Sequence, residues 1–139
     1  MAPTILKSVL ILCLLGLIVT GTPPASSAEE VRVGDIQVIS EKNGSERVCF
    51  LLNPFCNPKI FSIEGDKPRI VVDIPHVRAW TGKPTVAANG VSIRQVRTHL
   101  HRDDKRLRIV LDLTPSLDYT AEPLYFEAEG IYCIAVSAK

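Results

Sequence analysis

The sequence predicts an all-β domain, a sandwich of two pseudo-symmetric four-stranded sheets. Three observations predict it. Beyond residue 28 the apolar residues alternate with a period of two, and turn chemistry interrupts them about every ten residues. No stretch longer than about ten residues keeps the 3.6 period of an amphipathic helix. Two segments recur in the same order: Arg47–Pro54 (RVCFLLNP) returns as Arg108–Pro115 (RIVLDLTP), and Pro58–Gly65 (PKIFSIEG) returns as Pro123–Gly130 (PLYFEAEG). A four-stranded unit cannot hide its apolar face alone, so each half is expected to form one sheet and to face the other.

Composition bounds the rest. The 139 residues are 46% hydrophobic and 22% charged, which fits one domain and argues against disorder. Sixteen Lys and Arg against 15 Asp and Glu leave no overall field to attract nucleic acid or an acidic membrane. Residues 1–28 read as a leader rather than as part of the fold. Lys7 precedes an apolar run, Val9–Val19, that is too short for the ~20 residues of a membrane-spanning helix. Gly, Thr, Pro, Ala and Ser follow, and Ser26 and Ala28 suit a secretory cut after Ala28. The expectation is an exported, periplasmic domain at 29–139 with no membrane span in the mature chain.

The strands are expected at Ile36–Ser40, Arg47–Leu52, Lys59–Ile63, Arg69–Ile74, Val91–His99, Arg106–Leu113, Tyr119–Phe126 and Ile131–Ser137. Asn43-Gly44 marks a hairpin between the first two, because both residues tolerate positive φ. Arg102–Lys105 plays that part between the fifth and sixth. Pro75–Gly90, with Pro75, Gly82, Pro84 and Gly90, reads as a long connection. Within it Trp80 either closes an open end of the sandwich or forms a lid over a site. Phe61 and Phe126 hold matching positions in the repeat and are expected to plug the core from opposite ends.

Export leaves Cys49, Cys56 and Cys133 in an oxidising compartment, where an odd count allows at most one bridge. His76, His99 and His101 lie in no CxxC or HExxH spacing, so no metal site is expected. The absence of a GxSxG elbow, HExxH or Gly-rich phosphate loop argues against an enzyme, and no cofactor is expected. Glu127 with Glu129, and Asp103 with Asp104, are paired carboxylates only in sequence.

Alternation directs Ile70, Val72 and Ile74 inward, with Arg69, Val71 and Asp73 outward. It sends Ile109, Leu111 and Leu113 inward, with Arg108, Val110 and Asp112 outward. By the repeat, Val48, Phe50 and Leu52 point inward and Arg47 and Cys49 outward. Two outer faces would then each carry one Arg-x-x-x-Asp strand.

Pro68–Ile74 (PRIVVDI), Val96-Arg97 and Arg108–Leu113 (RIVLDL) resemble the hallmark strands of the AMIN domain. That module stands at the N-terminus of periplasmic N-acetylmuramoyl-L-alanine amidases and occurs in type IV pilus secretins. The resemblance runs from about Val31 to Val136. It implies a sandwich of two symmetry-related four-stranded sheets and a non-catalytic role in binding peptidoglycan and localising envelope proteins. The contact residues it implies are Arg69, Val71 and Asp73 on one face, Arg108, Val110 and Asp112 on the other, and Arg97. Family members carry a catalytic or secretin domain downstream, whereas this sequence ends at Lys139. The module is therefore expected to localise itself or a bound amidase, secretin or pilus component.

A second class of function rests on Arg94–Arg108, where Arg94, Arg97, Arg102, Lys105, Arg106 and Arg108 face only Asp103 and Asp104. Such a ribbon suits an anionic protein partner in an envelope assembly. Nucleic acid is disfavoured by export, by balanced charge and by the lack of interleaved aromatics.

Overall fold

Ten strands build two antiparallel sheets in the structure, a computed structural model that describes residues 21–22, 29–115 and 117–139. The strands are β1 (Arg32–Val33), β2 (Gln37–Ser40), β3 (Glu46–Asn53), β4 (Lys59–Ile63), β5 (Arg69–Ile74), β6 (Thr85–Ala87), β7 (Ile93–His101), β8 (Arg106–Leu113), β9 (Tyr119–Phe126) and β10 (Ile131–Ala138). Among the described residues there is no helix, and so none long and apolar enough to cross a membrane. The leader assigned to residues 1–28 lies, apart from Gly21–Thr22, outside the described residues.

Each sheet has five strands rather than four. The first runs β1-β3-β10-β9, and β2 also pairs with β3; the second runs β4-β5-β8-β7-β6. The two extra strands are short. β1 and β2 line successive stretches of β3, and β6 forms inside the expected Pro75–Gly90 connection, where Val86 pairs with Val96 of β7. Three residues between Pro84 and Gly90 are too few to give a strand signal of their own.

The repeat is present, but its halves do not form one sheet each. It equates β2, β3, β4 and β5 with β7, β8, β9 and β10. The first sheet orders β2-β3-β10-β9 and the second orders β7-β8-β5-β4, so each sheet takes two of these strands from either half. The chain leaves the first sheet after β3 and returns to it between β8 and β9. Both central pairs, β3 with β10 and β5 with β8, therefore join strands from opposite halves. Neither half has a closed core by itself.

The turns follow their chemistry. Gly44 adopts φ +86° in the β2–β3 hairpin, where the Glu41 N–H donates to the Ser45 carbonyl at 2.8 Å. Lys105 at φ +53° closes the β7–β8 hairpin.

Inward positions form one core. Val48, Phe50 and Leu52 of β3 meet Ile70, Val72 and Ile74 of β5, Ile109 and Leu111 of β8, and Ile134 and Val136 of β10. Phe61 and Phe126 depart from expectation. Phe61 sits opposite Val71, and Phe126 opposite Ile131, both outer-face positions. The residues that turn inward beside them are Ile60 and Tyr125, both packed against the core. Period two allows either phase, and pairing with the central strands decides it. Trp80 packs against the core from the β5–β6 connection, and its indole N–H donates to Thr98 Oγ1 at 3.1 Å. It closes that side of the sandwich.

Cys49 and Cys133 are cross-strand partners on the outer face of the first sheet and form a disulfide, leaving Cys56 free. Through the repeat their counterparts are Val110 and Val71, also directly opposite one another. The second sheet thus holds the same position by apolar contact alone. A Cys49→Val, Cys133→Val variant is expected to remain cooperatively folded and to lose about 2–4 kcal/mol, measured by urea unfolding. Val72→Asp or Leu111→Asp, each placing an unpaired charge at a fully buried site, is expected to leave no folded protein by circular dichroism.

Candidate functional site

The register of β5 and β8 sets Arg69 opposite Asp112, Val71 opposite Val110 and Asp73 opposite Arg108. All seven predicted site residues, with Arg97 of β7 beside Val110, fall on the outer face of the second sheet. This corrects the expectation of two separate faces. The two Arg-x-x-x-Asp strands are antiparallel neighbours, and that pairing requires them to share a face.

Asp73 is the most enclosed charged member, with 6% of its surface exposed. Its carboxylate accepts two hydrogen bonds from Arg108, from Nε at 2.8 Å and Nη2 at 2.9 Å. Arg106 Nη1 approaches it at 3.6 Å. Asp112 instead turns to β7, accepting from Arg97 Nε at 2.6 Å and Nη2 at 2.8 Å, and from Gln95 at 2.8 Å. Arg69 donates to the Lys67 carbonyl at 3.1 Å, although Asp112 is its cross-strand partner.

These pairs do two things. Bidentate geometry fixes the planes of Arg97 and Arg108 against the sheet. It consumes Nε and Nη2 and leaves each Nη1 without a partner among the described residues. Two guanidinium edges are thereby presented outward in set positions. Val71, 2% exposed, and Val110 form a low apolar floor between them.

Several members of the face were read in other roles from sequence, Phe61 as a core plug and His99 and His101 as weak metal-ligand candidates. Phe61 carries Lys59 Nζ and Arg108 Cζ over its ring, each 5.8 Å from the centroid. Its place was hidden by the misjudged phase of β4. His99 and His101 stack edge-on at 4.5 Å on the same face; their His-x-His spacing was the available signal. Five cations, Lys59, Arg69, Arg97, Arg106 and Arg108, thus share the face with two carboxylates, Asp73 and Asp112.

Among the described residues no group of three or more His, Cys, Asp or Glu could hold a metal ion. Burial pushes the Cys56 thiol above its ordinary range, which makes it a poor nucleophile. Glu127, Glu129, Asp103 and Asp104 are exposed around turns. The arrangement suits non-covalent recognition of a ligand bearing carboxylates, carbonyls and hydroxyls.

No protein-family model and no curated protein matches the chain.

The hydrogen bonds from Arg108 hold the Asp73 carboxyl below its ordinary range, and those from Arg97 do the same for Asp112. An unfolded Asp titrates near about 3.9. The unfolded chain therefore takes up these protons first. The stabilisation is complete above that value and is lost as pH falls through the lower folded values. Asp73→Asn is expected to flatten this acid limb in thermal melts recorded across pH 2–6. Asp73→Ala strands Arg108 and is expected to cost about 1–3 kcal/mol, more than an exposed strand carboxylate would.

Proposed function

We propose that the chain is a non-catalytic, exported module of the cell envelope that binds peptidoglycan through the outer face of its second sheet. The observation that carries this reading is the pair of guanidinium groups, Arg97 and Arg108, held flat by Asp112 and Asp73 with one edge of each free. Peptidoglycan stem peptides offer carboxylates and carbonyls to those edges and to Arg69, and its sugars offer hydroxyls. The AMIN-like motifs at Pro68–Ile74, Val96-Arg97 and Arg108–Leu113 support the same reading, since the resemblance implies this role for Arg69, Val71, Asp73, Arg97, Arg108, Val110 and Asp112. Single contacts of this kind are worth roughly 0.5–1.5 kcal/mol, so affinity comes from several along one polymer strand. The role is to localise the protein, or an attached envelope partner, in the periplasm.

A second reading, a protein-interaction module of a type IV pilus, secretin or other envelope assembly, is favoured by the other sheet. Its outer face exposes Ile39, Leu51 and Phe126 at 40–43% around the disulfide. The repeat equates Leu51 with Asp112 and Ile131 with Arg69, so that end of the charged ladder is apolar here, whereas Arg47 keeps the place of Arg108 and pairs with Glu41.

Sedimentation with purified sacculi separates the two. Arg69→Ala with Arg97→Ala is expected to reduce co-sedimentation about tenfold, the loss of two polar contacts. This variant is expected still to unfold cooperatively, at a somewhat lower temperature because Asp112 loses Arg97. Leu51→Asp with Phe126→Asp is expected to leave it unchanged. Unaltered sedimentation of the arginine variant would return the face to an ordinary solvated sheet surface and favour the protein partner.

A further inference from the structure

At one end of the second sheet a cleft of about 960 Å³ opens beside the ladder, lined by Lys67, Arg94, Gln95, Arg97, Asn89 and Asp112 among others. Its wall is a β-bulge. Ile93 pairs with Leu113 and Gln95 with Asp112, so Arg94 is the extra residue of β7 and leaves the ladder. Bulges of this kind re-aim a side chain, and here the residue re-aimed is an exposed arginine.

The bulge is fastened on every side. The Arg94 carbonyl accepts from the Ala88 and Asn89 N–H groups at 3.0 and 3.1 Å, and the Gly90 N–H donates to the Ile93 carbonyl at 2.9 Å. From beneath, Glu46 of the opposite sheet, 3% exposed, accepts from the Ser92 and Ile93 N–H groups at 2.9 and 2.8 Å. A buried carboxylate is costly unless satisfied, and this one is spent on holding a loop rather than on the core. The repeat places Leu107, fully buried, where Glu46 stands. The clamp is therefore a departure from the repeat beneath the cleft wall.

Among the described residues no carboxylate pairs with Lys67 or Arg94. On the far wall Asp112 accepts three hydrogen bonds and retains one of the roughly four lone-pair sites of a carboxylate. Two unpaired cations share the lining with the carboxylates of Asp66 and Asp112, a set that matches an oxyanion with an N–H donor nearby. The end of a peptide has both, a terminal carboxylate beside its own amide.

We infer that this cleft binds the carboxylate terminus of a peptide. Lys67 and Arg94 take the carboxylate, Arg97 adds its free edge, and Asp112 accepts the adjacent amide N–H. The inference shares Arg97 and Asp112 with the proposed peptidoglycan face, but Lys67 and Arg94 lie outside it, so their variants with a small soluble peptide test the cleft separately from sacculus binding.

The test titrates the isotope-labelled full chain with N-acetyl-alanyl-alanine, with its C-terminal amide, and with inorganic phosphate, followed by amide NMR. The acid is expected to shift resonances at residues 66–68, 88–97 and 112–115. The amide, and the Lys67→Ala or Arg94→Ala variants with the acid, are expected to bind about tenfold more weakly, the loss of one charge-assisted hydrogen bond. Both substitutions are at exposed or turn positions, so unchanged melting confirms that folding is intact. Equal binding of acid and amide, full binding by both variants, or no shift in the cleft would overturn the inference. Tighter binding of phosphate than of the acid would also overturn it, making the cleft a site for phosphate and not for peptide ends.

Discussion

The pairing of β3 with β10 and of β5 with β8 governs the rest of the molecule. Each pair joins the two halves of the repeat at the centre of a sheet, so neither sheet exists until both halves are present. The inward residues of these four strands, Val48 through Val136, supply most of the fully buried side chains. Burial of such side chains contributes about 1.5–3 kcal/mol each, and here it requires every strand in place together. Folding is consequently tied to non-local contacts, and the Cys49–Cys133 disulfide spans one of the central pairs instead of a local hairpin.

With the interior dictated by that constraint, the outer faces were free to diverge. Several equivalent positions carry different chemistry, although Arg47 and Arg108 are alike. Cys49 and Cys133 stand where Val110 and Val71 stand in the other sheet, Leu51 where Asp112 stands, and Ile131 where Arg69 stands. One face surrounds a disulfide with exposed apolar residues and a single Arg47–Glu41 pair, and the other is an ion-pair ladder. The ladder's electrostatics are local: carboxylates with depressed pKa values fix guanidinium planes, and the planes keep an outward edge. An isolated Arg on a strand would sweep many rotamers, and ordering it on binding costs conformational entropy that the Asp partners have already removed.

Glu46 links the two levels. It is an inward residue of the first sheet, yet its hydrogen bonds end on the backbone that opens β7 in the second. The sandwich thereby positions its own bulge and the cleft beside it.

Much of this was written in the sequence. Period two and turn residues determined eight of the strands, with β4, β5, β8 and β9 at the expected bounds, and the doubled RVCFLLNP and PKIFSIEG segments determined the pseudo-symmetry. Alternation determined which residues of β3, β5 and β8 face the core, because burying one face leaves a strand no choice of phase once its apolar set is known. Only the tertiary structure decided which strands are neighbours. Repetition says that two units are alike but not whether their strands pair within a half or across it. That one decision put Arg69 and Asp73 beside Arg108 and Asp112, paired Cys49 with Cys133, and turned Phe61 and Phe126 outward. Hydrogen-bond partners across a sheet are set by position in space, and sequence distance carries no record of it.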